Sequence, residues 1–129
     1  MSVIQFVFLF SMKDFKELHV WQKSHLLTLA VYKATKSFPR DELYGLISQI
    51  RRSAVSVPSN ISEGYGRLSD KELAHFLVIA NGSASELAYQ LLLSKDLEYI
   101  SELDYNQFDQ DLTQIRKMLN AFVKQLNSK

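Results

Sequence analysis

The stretch from Tyr105 to Leu126 constrains this chain more than any other. Tyr105, Phe108, Leu112, Ile115, Leu119, Phe122 and Leu126 recur in alternating three- and four-residue steps. That spacing lines one face of an α-helix with apolar side chains and is foreign to the period of two that a half-buried strand requires. Leu77, Ala80, Ala84, Leu87 and Leu91 repeat the same steps, and no segment alternates with period two over a useful length. Near-heptad spacing favours the shallow crossing angle of helical bundles.

Breakers and caps divide the chain into four helical segments. The first is expected from about Lys13 to Ser37, where Phe38-Pro39 stops it. The second starts near Asp41-Glu42, acids placed where the N-terminal dipole favours them. Ser69-Asp70-Lys71-Glu72 reads as a capping box that opens the third. The fourth runs from Ser101 or Glu102 to about Asn127, with acids near its start and Arg116, Lys117, Lys124 and Lys129 towards its end, as the dipole prefers. Segments of roughly 24 to 27 residues span about 36 to 40 Å at a rise of 1.5 Å per residue. Similar lengths and short connections specify an all-α fold, an antiparallel up-down-up-down four-helix bundle.

Pro58 falls inside the second segment, where it removes the hydrogen bond to the carbonyl of Ala54. Two stripes nevertheless stay in helical phase across it. One is apolar, through Leu43, Leu46, Ile47, Ile50, Ala54, Val57 and Ile61; the other is polar, through Gln49, Arg52, Ser53, Ser56, Asn60, Glu63 and Arg67. A loop would not hold both in register, so the expectation is one helix, kinked at Pro58 and continuing to about Tyr65.

At 129 residues the chain is long enough for a single core without metals or disulfides. It has no cysteine, which removes thiolate chemistry and fits a reducing cytoplasm. Residues 1–11 are mostly apolar and uncharged, lack the basic start of a secretion signal and are too short for a bilayer. They read as an N-terminal extension to a bundle domain at 12–129, with Met12 as the usual start. A net charge of +1 gives no global attraction to nucleic acid.

Between Leu73 and Ser94 the third helix carries a single formal charge, Glu86. A helix in a lone bundle should show water a polar side. His75, Asn81, Ser83, Ser85, Glu86 and Gln90 make this one too polar for a membrane span, so the expected partner is a second copy of the chain. Leu26, Leu27, Leu29, Ala30, Val31 and Tyr32 argue similarly for the first helix. Gly82, in a patch with Ala80, Ser83 and Ala84, fits close approach of another backbone.

Chemistry is harder to find. Glu72-Leu73-Ala74-His75 matches half of a bundle di-iron site, but neither His19 nor His25 has a glutamate three residues before it. Gly64-Tyr65-Gly66 follows a helix rather than a strand and reads as a turn rather than a phosphate loop. The sequons at Asn60 and Asn81 lie inside helices. No acid–base pair, metal set or cofactor motif stands out, so the expectation is a non-enzyme without cofactor, metal or small-molecule substrate. On the polar stripe, Gln49, Arg52, Asn60, Glu63 and Glu86 form a candidate structural network, with Glu86 paired to Arg51 or Arg52 across the second and third helices. The functional alternative has Arg51, Arg52, Arg67 and Lys71 contacting phosphates, with Arg116 and Lys117 as further candidates.

The segments DFKELHVWQKS at 14–24, FPRDELYGLISQIRRSAVSVPSNISEGYGR at 38–67, FLVIANGSASEL at 76–87 and IRKML at 115–119 resemble the bacterial four-helix-bundle proteins encoded in 23S rRNA intervening sequences. The resemblance covers Met12 to about Asn127. It implies a pentameric, barrel-like assembly. It also implies kinship with the accessory variability protein of diversity-generating retroelements, a basic pentamer that binds nucleic acid and a reverse transcriptase. This chain departs from that relative in its near-neutral charge. The expected function is therefore an oligomeric binding protein for RNA, DNA or a nucleic-acid enzyme, the alternative being a structural or protein-interaction module.

Overall fold

The structure, a computed structural model, describes residues 14–128. The leader at 1–11 and the Met12 start lie outside the described residues. Among the described residues there are four α-helices and no strand: α1 (His19–Thr35), α2 (Leu46–Tyr65), α3 (Asp70–Asp96) and α4 (Glu102–Asn127).

The long helices begin where their caps place them. Ser69 Oγ accepts the Glu72 amide at 3.1 Å and starts α3; Ser101 Oγ accepts the Asp104 amide at 3.0 Å and starts α4. Each satisfies an amide that the first turn leaves without a helical partner. The first two helices are shorter than the apolar pattern led us to expect, at 17 and 20 residues. Asp14 caps a 3-10 turn at Phe15–Glu17, and the extended backbone at Leu18 delays α1 to His19. A second 3-10 turn, Arg40–Glu42, takes up the acids expected to open α2, and Gly45, in a non-helical conformation, holds the start back to Leu46.

Contacts around the bundle run α1–α2–α3–α4 and back to α1; among the described residues no Cα of α1 lies within 8 Å of one of α3, nor any Cα of α2 within 8 Å of one of α4. Thr28 meets Ala54 and Thr35 meets Arg51; Ser56 meets Ser83 and Gly64 meets Phe76; Asn81 meets Asn120 and Lys95 meets Tyr105. The core is built from the stripes read in the sequence. Leu77, Ala80, Ala84, Leu87 and Leu91 of α3 face Ile50, Val57 and Ile61 of α2 and Leu112, Ile115 and Leu119 of α4, all essentially inaccessible to water.

α2 is continuous through Pro58. The proline leaves the Ala54 carbonyl without its helical donor, and α1 supplies a substitute. The Thr28 hydroxyl, buried, is shared between Ser24 O at 2.8 Å and Ala54 O at 3.1 Å. Gly64 lies inside α2 rather than in a turn: a Cβ there would come within 2.7 Å of Phe76 Cβ, so the glycine permits the close crossing of α2 and α3.

At the α3–α4 turn Glu98 has φ 64°, the one non-glycine residue with positive φ among the described residues. The amides of Glu98 and Tyr99 bond back to Lys95 O at 2.9 Å and Ser94 O at 2.8 Å, closing α3 in a Schellman arrangement. Tyr99 then packs against Phe38, ring centroids 5.3 Å apart and planes tilted by 54°, and joins this turn to the α1–α2 connection at the same end of the molecule. Desolvation there, followed by the Glu42 carboxylate facing it, raises the Tyr99 phenol above its ordinary pKa of 10.0.

Candidate nucleic-acid interface

The six basic residues singled out from the sequence fall in three places. Arg51 and Arg52 sit in the second turn of α2, while Arg67 and Lys71 lie beyond its far end, more than about 20 Å away at the helical rise. Arg116 and Lys117 are exposed on α4, where Lys117 borders an open hollow of about 680 Å³ with Val78, Asn81, Asn120 and Lys124. The six do not form one surface.

Their states differ as well. Arg67 pairs with Glu63 at 2.7 Å and lies over the Phe76 ring, 5.0 Å from its centroid. Arg51 is half-buried against α1: its Nε donates to Thr35 Oγ1 at 2.9 Å, its Nη2 donates to Tyr32 O at 3.3 Å, and its guanidinium lies 4.7 Å from the centre of the Tyr32 ring. Tyr32 belongs to the last turn of α1, whose free carbonyls carry partial negative charge, so Arg51 acts as a cap for that helix. Arg52, Lys71, Arg116 and Lys117 are exposed.

The candidate polar network is not assembled. Glu86 is exposed and accepts a hydrogen bond from Gln90 Nε2 at 3.1 Å, rather than meeting Arg51 or Arg52. The carbonyl end of α1 has taken Arg51, and Arg52 points to solvent. Glu63 is occupied by Arg67, and Gln49 is exposed. Asn60 bonds only within α2, its Nδ2 donating to Ser56 O at 2.8 Å and Ser56 Oγ at 3.0 Å; it is Ser56 Oγ that joins helices, meeting Ser83 Oγ of α3 at 2.8 Å. Gln90, not foreseen, is the buried amide of the core, with its Oε1 unpartnered.

What the structure does bring together was missed in the sequence. Arg51 separates two adjoining open hollows at the end of α1. One, of about 460 Å³, is bordered by Tyr32, Tyr44, Ser48 and Arg52; the other, of about 210 Å³, by Thr35, Lys36, Phe38 and Arg40. Leu43 and Ile47 floor both, and no acid lines either. The signal was the interleaving of bases and aromatics over 32–44, which the helix-stop reading of Phe38-Pro39 obscured. Elsewhere, among the described residues, no three His, Asp or Glu side chains gather as metal ligands. Glu72 and His75 are both exposed.

Two apolar surfaces remain uncovered. Leu26 and Leu29 of α1 are 65% and 54% exposed, and Val78 and Tyr89 of α3 are 56% and 61% exposed. By length and composition α3 is apolar enough to cross a membrane, with a mean hydropathy of 1.2 and a third of that window buried in the fold. A core helix of a water-soluble bundle meets the same description.

Fold and surface thus define an all-α four-helix protein whose charged side chains lie on its outside. The sequence model of the 23S rRNA-intervening sequence protein family matches residues 16–121, and the chain belongs to that family. It is similar to a crystal structure from Bacteroides thetaiotaomicron VPI-5482, a protein of unknown function from the S23 ribosomal protein family, at 30% identity and a TM-score of 0.74 over 81% of this chain and 98% of that one. A comparison with curated proteins gives no match.

Proposed function

We propose that this chain is a non-enzymatic subunit of a homo-oligomer, a pentamer, that associates with nucleic acid in the cytoplasm. Each subunit is an antiparallel up-down-up-down bundle with its second helix bent at Pro58, and no membrane, cofactor or small-molecule substrate takes part. The observation that carries the reading is the pair of uncovered apolar surfaces on α1 and α3, helices with no Cα atoms within 8 Å of each other among the described residues. Faces on diagonal helices favour a head-to-tail contact, the α1 face of one copy on the α3 face of the next. Repetition of that contact buries both faces and closes into a ring, whereas a two-fold dimer through one face leaves the other wet.

Nucleic acid is the partner that membership of a 23S rRNA-intervening sequence family favours, and exposed cations at Arg52, Lys71, Arg116 and Lys117 supply the charge it requires. The same reading keeps kinship with the accessory variability protein of diversity-generating retroelements. Native mass spectrometry with light scattering at micromolar concentration tests the assembly, and a mass of one chain overturns it. An electrophoretic shift with structured RNA, repeated at rising salt, tests the partner: phosphate contacts weaken steeply as salt rises. Absence of any shift at low salt leaves a protein-interaction module as the surviving reading.

A further inference from the structure

We propose that the surface between the end of α1 and the start of α2 is a binding site for single-stranded nucleic acid, in which Tyr44 and Tyr32 stack on bases and Lys36, Arg40 and Arg52 hold phosphates. The proposal rests on the nucleic-acid reading above and narrows it to one place and one form of ligand.

Charge comes first. Lys36, Arg40, Arg51 and Arg52 border the two adjoining hollows with no acid among the lining residues, although the chain as a whole is nearly neutral, with 15 basic and 14 acidic residues. The nearby acids border neither hollow: Glu42 turns its carboxylate to the Tyr99 phenol and lies beside Gly45, and Asp41 is exposed. A local positive field therefore sits on an otherwise balanced molecule.

The aromatic groups then select the ligand. Tyr44 is 93% exposed, in the short non-helical stretch just before α2, with its ring free. Tyr32 carries the Arg51 guanidinium on its ring, and Arg51 is fixed in turn by Thr35 Oγ1 and Tyr32 O. A guanidinium lying over an aromatic ring, beside a second free ring and loose cations, is the arrangement that receives unpaired bases with their phosphates. A duplex hides its base faces and would leave Tyr44 idle. An acidic peptide would satisfy the cations alone.

Fluorescence anisotropy of a labelled ten-nucleotide oligouridylate on the full chain tests the site. Stacking on one base supports a loss of about tenfold in affinity for Tyr44→Ala. An abasic strand loses both stacking contacts and should bind the wild-type protein about a hundredfold more weakly, losing nothing further with Tyr44→Ala. Three phosphate contacts on a single strand correspond to a log–log salt slope of about −2, which the triple variant Lys36→Gln, Arg40→Gln, Arg52→Gln should reduce to near zero. These positions are exposed and outside the core, so circular dichroism should be unchanged.

Loss of binding through Arg116→Gln or Lys117→Gln instead, or preference for duplex over single strand, overturns this site while leaving the wider reading in place. Equal competition by polyglutamate also overturns it, because the tyrosines would then contribute nothing. A change in assembly mass with Tyr44→Ala marks the surface as an interface between copies and overturns it too. Failure of every nucleic acid to bind at low salt removes both readings together.

Discussion

Thr28, Ala54 and Pro58 form one unit although they are spread over two helices. The proline deprives the Ala54 carbonyl of a donor, and the Thr28 hydroxyl reaches it from α1 at 3.1 Å. Thr28→Val keeps the shape and removes the proton, so it should cost about 1–3 kcal/mol through an orphaned buried carbonyl. In a Pro58→Ala background the new amide serves Ala54 and the same change should cost under about 1 kcal/mol. Urea unfolding of the four proteins, at one fixed concentration, gives the coupling directly. Glu98 offers a second test. It holds a left-handed conformation, φ 64°, at the position after the α3 C-cap where glycine is customary. Glu98→Gly should therefore raise stability by about 1 kcal/mol, seen as a higher urea midpoint with unchanged slope. Neither feature was legible beforehand: Thr28 sits 26 residues from Ala54, and no glycine marked the turn.

Among the elements, the starts of α3 and α4 and the end of α2 were read almost to the residue, and the starts of α1 and α2 were not. The difference lies in how each helix begins. Ser69 and Ser101 are local caps, acting on amides three residues away. α1 and α2 start after 3-10 turns instead, with no side-chain cap at Leu18 or Gly45. The crossing of α2 with α3 depends on Gly64, where a Cβ would fall 2.7 Å from Phe76 Cβ and 3.2 Å from Leu73 Cδ1. Gly64→Ala should destabilise by about 2 kcal/mol, overpacking outweighing the gain in helix propensity. Thermal melts followed at 222 nm would show the loss; a neutral or stabilising result would mean that the two helices separate without cost.

For the whole molecule, the informative surface is the side of α3 turned away from the core. Gly82 lies on it, and a Cβ there would meet nothing within 4 Å in a single chain. Gly82→Ala should thus stabilise an isolated subunit by about 1 kcal/mol through propensity alone. If a neighbouring copy lies close against that backbone, the same change should weaken the assembly. Val78→Glu is the stronger test: on a free surface its effect should stay within about 0.5 kcal/mol, whereas at a subunit interface it should split the assembly. Sedimentation velocity across a concentration series distinguishes the two, and unchanged mass with both variants would remove α3 from the interface.

By itself the sequence determined the class of fold, the four helices, the stripes that became the core and the caps of the two long helices. These depend on spacing along one chain, and helical periodicity turns spacing into a shared face. Only the tertiary structure decided which helix faces which, and with that the partners of Arg51, Glu86 and Thr28. It set Arg51 on the carbonyl end of α1 and left Glu86 to Gln90. It also drew Lys36, Arg40 and Tyr44 around the same corner as Arg52. Contacts between helices depend on the rotation of each about its axis and on where its first turn begins. A 3-10 turn or a glycine shifts both, and the apolar period records neither.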